Sequence, residues 1–397
     1  MVESGQASRQ STEAPLAGLR VLDISSFIAA PAAAVVLGDW GADVIKIEGP
    51  DGDPNRRIMH DSSNYPKAEV NYPWQMDSRN KRSIVLDLKQ PPARDALDRL
   101  IEKADILICN FPPPVRDKLK LAYDDVKKVN PKLIYASLTG YGESGPDRDR
   151  PGFDATAYFA RSGLLDAQRY EGGPPGVPGP AQGDRATAMA LVSSILMALI
   201  HRMKTGESTK VDIAMFDCQL ALMENAIMRY TVEGEVPGPL GARHPTITPF
   251  QAFATSDGSI IIAAGNDSLF IKMCDALGRP DWASDPNHKT NALRLKHCKH
   301  LWQEIESVLK QNTTAHWLAV LGKAGIPCGP INNVAQAISH PQVAARNMLV
   351  SVPDGSGGTL KLAGNPLKMS AFEDPTTRRA APDLDADRAA ILSYVGG

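Results

Sequence analysis

The sequence holds no cysteine framework. Its five cysteines, Cys109, Cys218, Cys274, Cys298 and Cys328, are odd in number and widely scattered. That excludes a disulfide scaffold or a paired zinc site by spacing and leads us to expect reduced thiols in the cytoplasm. The opening MVESGQASRQSTEAP lacks the basic and apolar regions of a secretory signal and reads as a frayed polar tail. The longest apolar run, AMALVSSILMALI at 188–200, falls short of the roughly 20 residues that cross a bilayer, so a buried helix and no membrane partner are expected. Neither charge sign dominates, with 43 Lys and Arg against 45 Asp and Glu, and the basic footprint of a nucleic-acid-binding protein is missing.

Several catalytic signatures are missing too. No GxSxG nucleophile elbow occurs. Of the eight histidines only HCKH at 297–300 brings two together; no further Cys or carboxylate at metal-ligand spacing accompanies it and it is read as a solvated helix face, so no metal site is expected. The turn after the first strand-like run, SSFIAAPAAA, contains no glycine. This counts against a nicotinamide oxidoreductase, even though a later strand ends on the acidic Glu48, because pyrophosphate contact in that fold needs glycines to let the backbone approach. GYGESG at 140–145 precedes a polar, Pro-bounded loop and reads as a turn.

What is present is a long alternation. GLRVLDIS (18–25), an alanine-rich helix, ADVIKIE (42–48), SIVLDL (83–88), ARDALDRLIEKA (93–104), DILICNF (105–111), VRDKLKLAYDDVKKVN (115–130) and KLIYASLTG (132–140) predict parallel strands covered by helices. At 397 residues and 43% hydrophobic the chain can bury more than one core. We expect residues 1–200 to form a large Rossmann-like α/β domain and 201–230 a linking helix. Residues 231–335 should form a smaller α+β domain opening on the hairpin FQAFATSDGSIIIAAG, and 336–397 should return to the large domain. In GPAQGDRATAMAL, Asp184 stands where a Gly/Pro loop meets a long helix, and the plain reading is helix capping.

The stretch GLRVLDISSFIAAPAAAVVLGDWGADVIKIEGPDGDPNR, with NKRSIVLDLK and NPKLIYASLTGYGESGP, resembles the class III coenzyme A transferases and their relatives, the α-methylacyl-CoA racemases. The resemblance extends through TPFQAFATSDGSIIIAAGN and IPCGPINNVAQAISHPQV. It implies a Rossmann-like large domain, a smaller domain and an interlocked homodimer. It also implies that Asp184, the Asp of a GD step opening a long helix, is the nucleophile, with capping as a parallel role. An ordinary carboxylate, with a pKa of about 3.9, is already ionised at neutral pH and needs no general base. Gly183 beside it would leave room for a thioester. The implied route runs through an aspartyl anhydride and an aspartyl-CoA thioester, with CoA and acyl-CoA as substrates and no tightly bound cofactor.

The same resemblance places Ile28, Ala29, Arg79, Lys81, Leu86, Lys89, Asn110, Phe111 and Lys118 at the CoA site, with a solvated strand edge as the alternative for Lys81 and Arg82. The formyl-CoA branch has a polar residue where Ile28 stands and a basic one where Gly49 stands. The racemases carry a GHD step where this chain reads GFD, so Asp154 loses its histidine partner and reads as structural; the absence of histidine between His60 and His201 favours a transferase. RHPTITPFQAF (243–253) resembles members that use succinyl-CoA and small dicarboxylates, which makes Arg243 and His244 either substrate contacts or loop residues. A racemase-like enzyme and a non-catalytic CoA-binding protein are the alternatives.

Overall fold

The computed structural model describes residues 14–61, 68, 70–355 and 357–396; most of the polar start, and the side chain of His60, lie outside the described residues. The chain divides into two compact units. One comprises Met1–Leu164, Val177–Thr231 and Pro341–Gly397, the other Leu165–Gly176 and Val232–His340.

The first unit is organised on six parallel strands: β1 (Arg20–Ile24), β2 (Asp43–Glu48), β3 (Lys81–Val85), β4 (Ile106–Cys109), β5 (Ile134–Thr139) and β6 (Lys210–Ala214). Their order is β3-β2-β1-β4-β5-β6. The order reverses between β1 and β4, which pair in the register Leu22↔Leu107 and Ile24↔Cys109. Ligands in open α/β sheets bind at such a switch point, beyond the carboxyl ends of the strands. The central strands read as continuous apolar runs because both faces are covered, and Val21, Leu22, Ile106, Leu107 and Ile108 are all buried. β6 corrects an expectation: residues 210–214, expected within a linking helix, form an edge strand parallel to β5. A five-residue edge strand of mixed polarity, KVDIA, carries too little period to separate it from its helical flanks.

The alanine-rich helix Ala29–Asp39 buries eight of its eleven residues and packs on the long helix Gln182–Thr205. Small side chains permit that close approach. The long helix buries Gly183, Thr187, Ala188, Leu191, Val192, Ile195, Ala198 and Leu199, one stripe at helical spacing, and ends on the left-handed Gly206. At 24 residues it outruns the apolar run 188–200 and is long and apolar enough to cross a bilayer by length and composition alone. The C-terminal residues close the sheet edge at β3. Asp387 and Asp385 accept hydrogen bonds from the amides of Ser83 and Val85 at 2.8 Å each, which satisfies donors that an open edge would leave exposed. Ile391 and Val395 then join the core beside Leu97 and Ile101.

The second unit carries β7 (Phe250–Ala254), β8 (Ser259–Ala263) and β9 (Cys328–Pro330), antiparallel in that order. β7 and β8 form the hairpin expected around SDG. Its core gathers Phe253, Ile260, Ile262, Phe270, Leu301, Ile305, Trp317 and Leu321.

Candidate active site

The sheet leads directly to a cavity. Beyond the ends of β1 and β4, the amide of Ser26 donates to Asn110 Oδ1 at 2.9 Å, and Asn110 Nδ2 donates to the Ser26 carbonyl at 2.8 Å. This strap closes the switch point and commits the polar atoms of Asn110. Next to it Phe27 takes a left-handed backbone, φ 63°, an uncommon conformation for a bulky residue. Asp53 Oδ1 accepts the Phe27 amide at 3.2 Å, and the Phe27 ring meets Phe153 edge-on at 5.8 Å. The turn thus bends around aromatic rings instead of around glycines.

The cavity has a volume of about 670 Å³, and its lining includes Phe27, Ile28, Ala29, Asn110, Phe111, Phe153, Asp154, Met215 and Asp184. Asp184 enters it from the first turn of the long helix. Ala181, the residue before that helix, is left-handed (φ 64°) and forms no side-chain cap, and Asp184 is the third helical residue. Capping is therefore not its role. Burial, then the charge of Asp154, push its pKa up to about 7; Arg185 pulls it down and Asp77 adds a further rise. The expectation of an ordinary carboxylate, already ionised at neutral pH, is therefore corrected: desolvation and a like charge raise its pKa toward neutrality. Asp184 accepts no hydrogen bond among the described residues.

Gly183 has a different use from the one expected. A Cβ there would stand 2.8 Å from Asp154 Cβ and 2.8 Å from Tyr158 Cγ. The missing side chain admits the π-helix Asp154–Ala160, and with it the second carboxylate. Asp154, read as structural, lines the cavity, and its Oδ2 is buried without a hydrogen-bond partner. A structural carboxylate would have partners. The GFD step gave the only signal, and the sequence alone could not place it beside Asp184.

The residues expected at CoA separate into three groups. Ile28, Ala29, Asn110 and Phe111 line the cavity of Asp184. Leu86, Lys89 and Phe111 line a neighbouring cavity of about 280 Å³ with Gly49 and Leu119, while Lys118 lines neither and is exposed on the helix Pro113–Leu119. Arg79 and Lys81 lie at the other end of β3. Arg79 pairs with Asp39 at 2.8 Å. Lys81 is 1% exposed, and its Nζ donates to Asp23 at 2.7 Å, to the Pro31 carbonyl at 2.9 Å and to the Asp77 carbonyl at 2.7 Å. With all three protons committed, Lys81 has none left for a phosphate, which corrects that expectation. Arg82 pairs with Asp43. Glu48 is bound by Arg56 at 2.7 Å, and the turn residue Glu143 pairs with Arg116 and Lys210. Arg243 and His244 belong to the second unit, where Arg243 borders a cavity of about 210 Å³ and His244 stacks on Phe250.

A doubly wound α/β sheet with a carboxylate free of hydrogen bonds among the described residues over its switch point, and no glycine cradle for pyrophosphate after β1, is not the arrangement of a dinucleotide dehydrogenase. The chain matches the model of CoA-transferase family III over residues 16–388 and belongs to that family. It is 38% identical over 382 residues to the acetyl-CoA:oxalate CoA-transferase of Acetobacter aceti, with 95% of each chain covered. It is 35% identical to the succinate–glutarate CoA-transferase of Agrobacterium fabrum, covering 96% of this chain and 95% of that one. A CaiB/BaiF family protein from Brucella suis superposes with a TM-score of 0.84 at 34% identity, over 97% of this chain and 100% of the other. The protein is a family III CoA-transferase, acting between acyl-CoA thioesters and carboxylic acids.

Proposed function

We propose that Asp184 is the nucleophile, that the donor is succinyl-CoA or a similar acyl-CoA, and that the acceptor is a small carboxylic or dicarboxylic acid. The observation that carries this is the unpaired carboxylate at the mouth of the long helix, facing a cavity large enough for the end of a pantetheine arm. In its ionised form Asp184 attacks the thioester carbonyl. The tetrahedral intermediate collapses to an aspartyl anhydride and CoA thiolate, and the thiolate returns to the aspartyl carbonyl, releasing the acid and leaving an aspartyl-CoA thioester. The acceptor carboxylate reverses these steps. Ile28, Ala29, Asn110 and Phe111 then flank the reacting thioester, while Leu86, Lys89 and the more distant Lys118 serve the nucleotide end. Arg243 and His244 are our candidates for a second acceptor carboxylate, a reading supported by relatives named for oxalate and glutarate.

The domain reading stays part of this proposal: a large CoA-binding domain, a smaller domain from about residue 231, and a C-terminal return to the first. Exposed Met197, Ile200, Met203 and Leu222 on helices of the first unit support self-association as a homodimer, measurable by light scattering on a sizing column. Five unpaired cysteines support the cytoplasm as its compartment. The deciding experiment is intact-protein mass spectrometry after mixing with succinyl-CoA: a covalent adduct forms on the wild-type chain and not on Asp184→Ala. An Asp184→Ala chain that still forms the adduct overturns the assignment.

A further inference from the structure

Arg185 follows Asp184 directly, and a guanidinium so near a nucleophilic carboxylate is a hazard, because an ion pair stabilises the resting anion and dulls it. We propose that Asp77 is a positioning residue for acyl transfer: it captures the guanidinium of Arg185 and leaves Asp184 without an ion-pair partner. The proposal rests on the assignment of Asp184 as nucleophile.

Arg185 Nη1 lies 2.5 Å from Asp77 Oδ1, and the Asp77 side chain is 3% exposed. Asp77 is itself held firmly on the helix Tyr72–Ser78. Its Oδ2 accepts from Asn55 Nδ2 at 3.3 Å, and its carbonyl accepts from Lys81 Nζ at 2.7 Å. Through Asp23, Lys81 joins a buried chain to Lys46, which reaches the Ser25 carbonyl at 2.5 Å and Asp53 at 2.9 Å. One connected set of hydrogen bonds and ion pairs, buried but for Arg185, therefore links both walls of the reactive cavity, the turn at Ser25–Phe27 and the start of the long helix. Successive helical residues point about 100° apart, and the two side chains do border different cavities: Asp184 the reactive one, Arg185 another of about 580 Å³ lined also by Asp39 and Arg79.

The charged groups that act on Asp184 are Asp154 on the π-helix, Arg185 beside it on the long helix, and Asp77 on the helix Tyr72–Ser78; the elements packed on the long helix also carry Tyr158, Asp39, Lys210, Asp212, Asp217 and Cys218. Of the three charges that act on Asp184, Arg185 is the cation. Its capture is what keeps the site anionic.

The test uses the full chain with succinyl-CoA, after circular dichroism has shown each variant folded. Asp77→Asn frees the guanidinium and is expected to lower kcat by about tenfold or more, with the KM for succinyl-CoA nearly unchanged. Adding Arg185→Gln to that chain removes the freed cation and restores kcat to within about threefold of Arg185→Gln alone. Equal losses in both single variants and in the double variant, or a normal kcat in Asp77→Asn, overturn the proposal. If Asp77→Asn does not fold, Arg185→Gln still decides: the pH midpoint of adduct formation rises when the one nearby cation is lost, and an unmoved midpoint overturns the proposal. A wild-type chain that forms no Asp184-dependent adduct fails the underlying assignment instead, so the two failures are distinguishable.

Discussion

A Cβ added to Gly183 would stand 2.8 Å from Cγ of Tyr158, so the long helix and the π-helix can meet only because position 183 has no side chain. Gly183→Ala is expected to destabilise the fold by about 1–3 kcal/mol through overpacking and to slow adduct formation, because the strain is relieved by moving the turn that carries Asp184. Denaturant unfolding and single-turnover trapping measure the two effects separately; a stable variant with wild-type trapping would show that the contact is soft.

On the proposed assignment of Asp184 as nucleophile, adduct formation should rise with pH through about 7, since the pKa of this carboxylate is pushed up to about 7 by burial and by Asp154. Asp154→Asn removes the like charge and keeps the shape, so the midpoint should fall by on the order of one pH unit. Initial trapping rates between pH 5 and 9 read both midpoints. Coincident profiles would sever the link between the two carboxylates.

The raised pKa of Asp184 also makes it a liability to the fold. Its charged form is disfavoured in the folded chain, so folded protein holds the proton more tightly than unfolded chain, and stability falls as pH rises from about 4 to about 7. Asp184→Asn should therefore be more stable than wild type at pH 8, by about 1 kcal/mol or more, with the gain shrinking toward pH 4. Urea midpoints across that range provide the check, and a variant less stable at pH 8 would contradict the sign.

Lys81 and Lys89 should behave as opposites. Lys81→Met leaves Asp23 with the Ser25 hydroxyl and, as its remaining ion-pair partner among the described residues, Lys46 at 3.6 Å, and is expected to cost about 3 kcal/mol or more. Lys89 is exposed beside the smaller cavity, so Lys89→Ala should leave stability unchanged and raise the KM for acyl-CoA about threefold, an effect that fades in high salt. Thermal melts and KM values at two ionic strengths separate the roles.

Much of this was legible in the chain. The β-branched runs at 20–24, 43–48, 106–109 and 134–139 predicted strands, and the hairpin around SDG stood out, because strands buried on both faces and tight turns leave local marks. The GD step singled out Asp184 before any geometry was known. The strand β6 escaped notice, since five residues of mixed polarity carry almost no period. Lys81 departs from its sequence-based expectation for a different reason: a lysine before a strand looks the same whether it meets a phosphate or a buried Asp23, and only the fold decides which.

The sequence by itself determined the alternation that builds a parallel sheet, the family, and the candidate nucleophile, because periodicity and short motifs are local properties of the chain. The tertiary structure decided what surrounds that carboxylate. Asp77 and Asp154 come from two other elements, and the charge state of Asp184 depends on their distances and on lost water. Both follow from packing across long stretches of chain, which no local pattern records.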